Sequence, residues 1–105
     1  MTTYFFVAAS ERFLTVEEPL EEILKERERN YKENNKEKDF WLLKNPFFLR
    51  TSQFVDLTNK IPSHPSAVLS TDKKFITFLK LRLEYVAVGE FEFPNAEITD
   101  PFKVE

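Results

Sequence analysis

The sequence has no cysteine and a single glycine, Gly89. Without cysteine the chain cannot form disulfides, thiolate nucleophiles or zinc ribbons. One glycine is too few for the glycine-rich phosphate loops of nucleotide-binding proteins, whether of the GxGxxG or the Walker type. These two shortages exclude several common kinds of redox, metal and nucleotide chemistry.

The chain also lacks long apolar segments and long runs of one charge. No apolar run approaches the roughly 20 residues that a helix needs to cross a bilayer. The net charge is −3, with acidic and basic residues interleaved, which argues against binding nucleic acid through clustered lysine and arginine. The opening segment MTTYFFVAAS has no basic leader, so we expect mature sequence of a soluble protein and not a signal or transit peptide.

Phenylalanine is abundant, with twelve copies among 105 residues. The chain is 42% hydrophobic and 31% charged, a composition typical of one globular domain with a modest core. Most of the phenylalanines are expected to pack inside. The alternative is that some of them form an apolar patch kept for a partner.

Hydrophobic patterning predicts four strands separated by helical segments. The predicted strands are 3–10, 40–44, 67–71 and 90–94, and the predicted helices are 16–35 and 72–88, with short helical turns at 46–61. We expect Ser70 or Thr71 to cap the second long helix at its start and Gly89 to end it. This order indicates one sheet with helices on its faces, although the pattern does not give the strand directions. We predict a single α/β domain over residues 1–94 and a loosely attached tail over residues 95–105.

Candidate catalytic residues are scarce. His64 is the only histidine and lies between prolines, and we interpret it as a surface loop residue because no serine or metal-ligand motif accompanies it. The glutamates of the first predicted helix alternate with lysine and arginine, as on a solvated face. We therefore expect no catalytic residue, no metal and no cofactor, which speaks against an enzyme.

Two charged residues lie in unexpectedly apolar surroundings. In the segment FLKLRLEYV (78–86), a helical projection places Arg82 between Phe75 and Phe78 on the apolar side. Asp39 begins the run DFW at the start of a predicted buried strand. Arg82 could extend its stem to solvent, pair with Asp39, or be reserved for a carboxylate or carbonyl of another protein.

Three stretches of the chain resemble a known family. They are TYFFVAASERFLTVEEPLEEILKER, DFWLL and LSTDKKFITFLKLRLEYVAVGEF, and they are similar to the hypothetical chloroplast reading frame fifty-four family of cyanobacteria and plastids. The resemblance extends to about Pro94. It implies an α+β fold, an α/β sandwich with a central four-stranded, mainly antiparallel sheet flanked by helices, which agrees with the predicted order of elements.

The resemblance also implies a function. Members of this family are accessory, non-catalytic factors of the aerobic magnesium-protoporphyrin IX monomethyl ester oxidative cyclase, which forms the fifth ring of chlorophyll and yields protochlorophyllide. The implied partner is the di-iron catalytic subunit of that enzyme. The implied location is the cyanobacterial cytoplasm or the plastid stroma, at the thylakoid membrane only through the partner. The predicted partner-binding residues are Asp39, Phe40 and Arg82, which lie in the two segments that match the family's most conserved sequence.

Two other functions stay open at this point. The chain could be a magnesium-tetrapyrrole carrier, in which aromatic residues line a pocket and Arg82 pairs with a propionate. An enzyme in its own right would need iron ligands that the sequence lacks.

Because adjacent strand residues face opposite ways, we also predict that Phe40 is partly accessible or lines the partner groove while Trp41 points into the core.

Overall fold

The computed structural model describes residues 1–18, 20–61 and 64–104. The described residues form one four-stranded sheet with the strand order β2-β3-β1-β4. All neighbouring strands are antiparallel, which confirms the predicted α+β class. The strands are β1 (Thr2–Ser10), β2 (Phe40–Lys44), β3 (Pro65–Ser70) and β4 (Ala87–Phe93).

Helices cover both faces of this sheet. The α-helices are α1 (Glu21–Glu33), α2 (Val55–Asn59) and α3 (Lys73–Leu83), with a π-helical turn at Phe13–Glu17 and 3-10 turns at Phe47–Arg50 and Ser52–Phe54. α1 and α3 pack on one face. The 3-10 turns, α2 and the C-terminal segment (residues 94–104) pack on the other face. The π-helical turn packs with α1 and α3 through Leu14.

The central strand β1 is buried on both faces, as its continuous apolar run predicts. Val7 and Ala9 point into the core under α1 and α3. Phe6 and Ala8 point into the second core, among a cluster of aromatic rings. β4 lies at a sheet edge, in agreement with its alternating glutamate and phenylalanine.

The boundaries of α3 differ from the prediction at both ends. Asp72, and not Ser70 or Thr71, caps the helix, because its carboxylate accepts the Lys74 N–H at 3.0 Å. The helix ends at Leu83, and Glu84 adopts a positive φ of 62°.

Gly89 does not end α3, because it lies inside β4 opposite Phe6. A Cβ atom at Gly89 would lie 2.5 Å from Cζ of the Phe6 ring. The glycine is therefore required by a close approach of a buried ring and not by a helix cap.

Residues 95–104 pack against the domain, in contrast to the loose attachment predicted for residues 95–105, of which Glu105 lies outside the described residues. Val104 forms a bridge with Pro46, and the Phe47 N–H donates to the Lys103 carbonyl at 2.8 Å. Ile98 is buried. The segment is further joined to the domain by a Ser52–Glu97 hydrogen bond, which lowers the pKa of the Glu97 carboxyl.

Candidate functional site

A groove runs between α1 and α3 on one face of the molecule. The two helices lie side by side in opposite directions, because the start of α3 meets Arg27 and its end lies beside Ile23. The larger part of the groove, around Arg27 and Phe75, has a volume of about 760 Å³. A smaller hollow shares Glu22 and Ile23 with it and extends it toward Arg82.

Arg27 of α1 lies in the larger part of the groove and forms hydrogen bonds and ion pairs there. Its Nη2 donates to Asp72 Oδ2 at 2.9 Å and to Tyr31 Oη at 2.6 Å. Tyr31 Oη in turn donates to Asp39 Oδ1 at 3.0 Å. Asp39 Oδ1 also lies 3.9 Å from Arg27 Nη2. One arginine therefore joins α1, the residue before β2 and the N-cap of α3.

Aromatic rings enclose the same guanidinium. Its Cζ lies 3.9 Å from the centroid of the Phe75 ring, 4.9 Å from that of Tyr31 and 5.3 Å from that of Phe40. The side chain of Arg27 is 23% exposed. Its Nε is buried and, within the described part of the chain, has no hydrogen-bond acceptor. Cation–π contacts and two carboxylates therefore hold the charge in a largely apolar setting.

The structure separates Asp39 from Arg82, which the sequence had suggested as a pair. Asp39 interacts with Arg27 and Tyr31. Arg82 is exposed, and no ion pair joins it to a carboxylate in residues 1–18, 20–61 and 64–104. Pairing with Asp39, one of the three alternatives that the sequence left open for Arg82, is therefore wrong. The projection placed Arg82 beside Phe78, but Phe78 is itself half exposed, so this side of α3 meets solvent.

The predicted faces of Phe40 and Trp41 are reversed. Phe40 is 1% exposed and packs edge-on against Tyr31 and Phe75 under α1 and α3. Trp41 points to the other face and is half-buried, with its ring centroid 4.5 Å from that of Phe102. The alternation along β2 holds. Phe40 packs among Arg27 and its aromatic neighbours, while the C-terminal segment covers Trp41.

Sequence reasoning missed Arg27, Tyr31 and Asp72 as members of the site. A usable signal exists, because Arg27 falls on the apolar stripe of α1 together with Leu24 and Tyr31. A cation on such a stripe needs an acidic or aromatic partner from another element. The sequence does not reveal that Asp39 and Asp72 are the acidic partners.

Downstream of this cluster, α3 and the residues just after it expose large side chains, of which Phe78 lines the groove. Phe78 is 51% exposed, Leu81 is 75% exposed and Tyr85, just beyond the helix, is 83% exposed. Arg82 lies among them. Phe78 stacks on Phe75 with an interplanar angle of 18°, so the exposed ring continues the aromatic floor of the site.

The single histidine and the acidic side chains of the described residues form no metal-binding cluster. No three of their histidine, cysteine, aspartate or glutamate side chains are grouped so that they could hold a metal ion. His64 is exposed, and its carbonyl accepts the Glu11 N–H at 2.7 Å. In the part of the chain that the structure describes, no helix is long and apolar enough to span a membrane.

Several known proteins are similar to this chain. The Synechocystis Ycf54-like protein is 50% identical over 101 residues, which cover 96% of this chain and 76% of that protein. The Arabidopsis chloroplastic YCF54 protein is 39% identical over 92 residues, which cover 87% of this chain and 43% of that protein. A red-algal relative from Porphyra purpurea, 50% identical, is called an uncharacterized protein and has no catalytic name.

Solved structures agree with these sequence relationships. A Nostoc protein, 51% identical, superimposes with a TM-score of 0.95 and covers 98% of this chain and 95% of its own. The Synechocystis Ycf54 protein, 48% identical, gives a TM-score of 0.93 and covers 99% and 97%. The family described as Ycf54 protein matches residues 2–93. The chain therefore belongs to the Ycf54 family.

Proposed function

We propose that this protein is a non-catalytic accessory factor that binds and supports the di-iron catalytic subunit of the magnesium-protoporphyrin IX monomethyl ester oxidative cyclase. Its role would lie in chlorophyll biosynthesis, at the step that forms protochlorophyllide. The proposal takes the enzyme's identity from the family resemblance. The structural observation that supports it is the exposed face of α3.

This face has the composition of a protein interface. Phe78, Leu81 and Arg82 lie at spacings of three and four residues, so they are neighbours on the helix surface. Aromatic and arginine side chains are enriched among the residues that contribute most to binding. An isolated protein gains nothing from exposing them together with Tyr85.

Asp39 and Arg82 remain the proposed partner-binding residues, whereas Phe40 acts in a different way. Phe40 is too buried to touch a partner. It supports the ring cluster on which Arg27 lies, and Arg27 in turn positions Asp39. We propose that Phe40 contributes to binding indirectly, by holding this end of the groove in shape.

The rival function, a magnesium-tetrapyrrole carrier, has less support. Three carboxylates line the larger part of the groove, those of Glu22, Glu26 and Asp72, and they would repel the carboxylates of a porphyrin. Arg27 is already paired with Asp72. Arg82 lies beyond the larger part of the groove, so it is poorly placed to bind a propionate of a molecule held there.

The experiment mixes the tagged protein with the purified catalytic subunit and, separately, with a magnesium porphyrin. We expect the two proteins to elute together and the absorption band of the porphyrin to stay unchanged. A shifted band without capture of the subunit would favour the carrier. Stoichiometric iron in the isolated protein, with turnover in the absence of the subunit, would contradict a non-catalytic role.

Arg82→Ala tests the proposed interface directly. Because the guanidinium is exposed and unpaired among the described residues, the unfolding free energy should change by less than about 0.5 kcal/mol. Loss of a central interface arginine should weaken binding to the catalytic subunit by about 2 kcal/mol, measured by titration. Arg12→Ala, an exposed arginine outside the groove, is the control. An unchanged affinity for Arg82→Ala would remove Arg82 from the interface.

A cellular prediction follows from the same proposal. We expect the protein in the cyanobacterial cytoplasm or the plastid stroma, with a thylakoid-bound fraction that depends on the catalytic subunit. Membrane fractionation of cells with and without that subunit measures this dependence. A membrane-bound fraction of equal size in both would show that the attachment does not need the proposed partner.

A further inference from the structure

Apart from Arg27 and Asp72, which pair with each other, the two walls of the groove between α1 and α3 carry opposite charges. The α1 wall presents Glu22, Glu26 and Asn30, which are spaced four residues apart. The α3 wall presents Lys74, Phe78 and Arg82, with the same spacing. Each set therefore forms one row along its helix. One row is acidic, and the other is basic with an aromatic ring at its centre.

These wall charges are largely available for a partner. Within the described ranges 1–18, 20–61 and 64–104, neither Glu22 nor Lys74 nor Arg82 takes part in an ion pair. Glu26 contacts Arg29, but both side chains are about two-thirds exposed. Exposed pairs of this kind contribute little to stability, so they can be exchanged at small cost.

The floor of the groove between these rows is apolar. It contains Ile23 and Phe75, and Phe78 projects over it from the α3 wall. Eight residues separate the first and last members of each row, a length of about 12 Å at the helical rise of 1.5 Å per residue. This is the length of about two helical turns of a bound peptide.

We infer that the groove binds an amphipathic helix of the partner protein, about two to three turns long. Its apolar stripe would lie on Ile23, Phe75 and Phe78, as in other helix-in-groove complexes. Lysine or arginine on one flank of that helix would face Glu22 and Glu26. Aspartate or glutamate on the other flank would face Lys74 and Arg82. This charge arrangement fixes the orientation in which the helix is bound.

The inference rests on the proposed function, because the probe is the purified catalytic subunit of the cyclase. Adjacent residues provide matched controls for each wall. Glu22→Lys changes the groove, whereas Glu21→Lys makes the same charge change in the same first turn of α1 outside it. Lys74→Glu and Lys73→Glu form the corresponding pair on α3.

The apolar contact has its own matched pair, Phe78→Ala in the groove and Phe47→Ala, an exposed ring on the other face of the sheet. We expect each groove variant to weaken binding by about tenfold or more, as for interface anchors. Each control should stay within about twofold of the wild type. Urea unfolding of every variant confirms that the chain is folded.

The lack of cysteine allows a direct test of the bound segment. Asn30→Cys, labelled with a benzophenone maleimide, places a photo-crosslinker on the α1 wall of the groove, and Asn59→Cys on α2 is the control. We expect crosslinks from position 30 into a partner segment with an apolar stripe, one basic flank and one acidic flank. Crosslinks only from position 59, or into a segment without that pattern, would overturn the inference.

The outcomes separate the two proposals. If the wild-type protein binds the catalytic subunit and the groove variants bind equally well, the groove assignment is wrong while the accessory function stands. If the wild-type protein does not bind the subunit at all, the proposed function fails and the groove inference fails with it.

Discussion

At the scale of single residues, two arginines on facing helices have opposite surroundings. Arg27 touches three aromatic rings and lies within 4 Å of two carboxylates. Arg82 is exposed. Since a guanidinium stays charged in either place, the neighbours decide whether the side chain stabilises the fold or remains available for another protein.

Arg27→Met should lower the unfolding free energy by about 1–3 kcal/mol. The change leaves Asp39 and Asp72 without their cation and removes the cation–π contacts, although partial exposure of these groups limits the loss. Urea denaturation measures the difference. Arg29→Met, an exposed change two residues along the same helix, should cost less than about 0.5 kcal/mol. Equal costs for the two would show that the cluster adds nothing to stability.

Phe40→Ala should destabilise the protein by about 3–5 kcal/mol, the usual cost of emptying a core aromatic site. The ring is nearly inaccessible and lies beneath the Arg27 cluster. Phe47→Ala, at a ring that is 41% exposed, is the control and should cost much less. A melting temperature for Phe40→Ala close to that of the wild type would contradict the observed packing.

At the scale of elements, the C-terminal segment acts as part of the second helical layer. Residues after β4 cross this face and cover the half-buried side chains of Tyr4 and Trp41, mainly through the ring of Phe102. Strand β2 is a sheet edge, and the segment lies beside its end through the Pro46–Val104 bridge. An irregular segment therefore completes the layer that helices begin.

Removal of residues 95–105 should expose Trp41, the only tryptophan. We expect the fluorescence emission to move to longer wavelength and the unfolding free energy to fall by about 2–4 kcal/mol, mainly through loss of buried Ile98. Phe102→Ala separates the two effects, because it uncovers Trp41 but leaves Ile98 in place. An unchanged emission in the truncated protein would indicate that the segment does not pack on this ring.

At the scale of the whole molecule, two cores share one sheet. β1 and β3 supply side chains to both, for example Val7 and Val68 to one and Phe6 and Leu69 to the other. Because β1 and β3 belong to both cores, one core cannot unfold without disrupting the other. The unfolding of the two faces should therefore be coupled.

Urea unfolding should therefore follow a single transition. Trp41 fluorescence reports the face covered by the C-terminal segment, and far-ultraviolet circular dichroism is dominated by α1 and α3 on the opposite face. Coincident midpoints are expected for a two-state domain of this size. A fluorescence midpoint at lower urea would show that the C-terminal layer unfolds before the helical layer.

The sequence by itself determined the elements, and their class followed from the family resemblance. Short apolar runs and one clear amphipathic stripe are local signals, so the four strands, α1 and the helical turns after Pro46 could be predicted. The doubly buried character of β1 followed from its uninterrupted apolar run. The family resemblance was also available from the residues alone, and the matches to Ycf54 proteins confirm it.

Only the tertiary structure decided which face each residue serves and which charges meet. Alternation along β2 requires that Phe40 and Trp41 face opposite ways, but it does not say which layer lies on which side. The pairing of Arg27 with Asp72 joins residues 45 positions apart, and such contacts leave no periodic trace in the chain. The role of Gly89 was likewise decided by packing, because it lies inside β4 against the Phe6 ring and not at the end of α3.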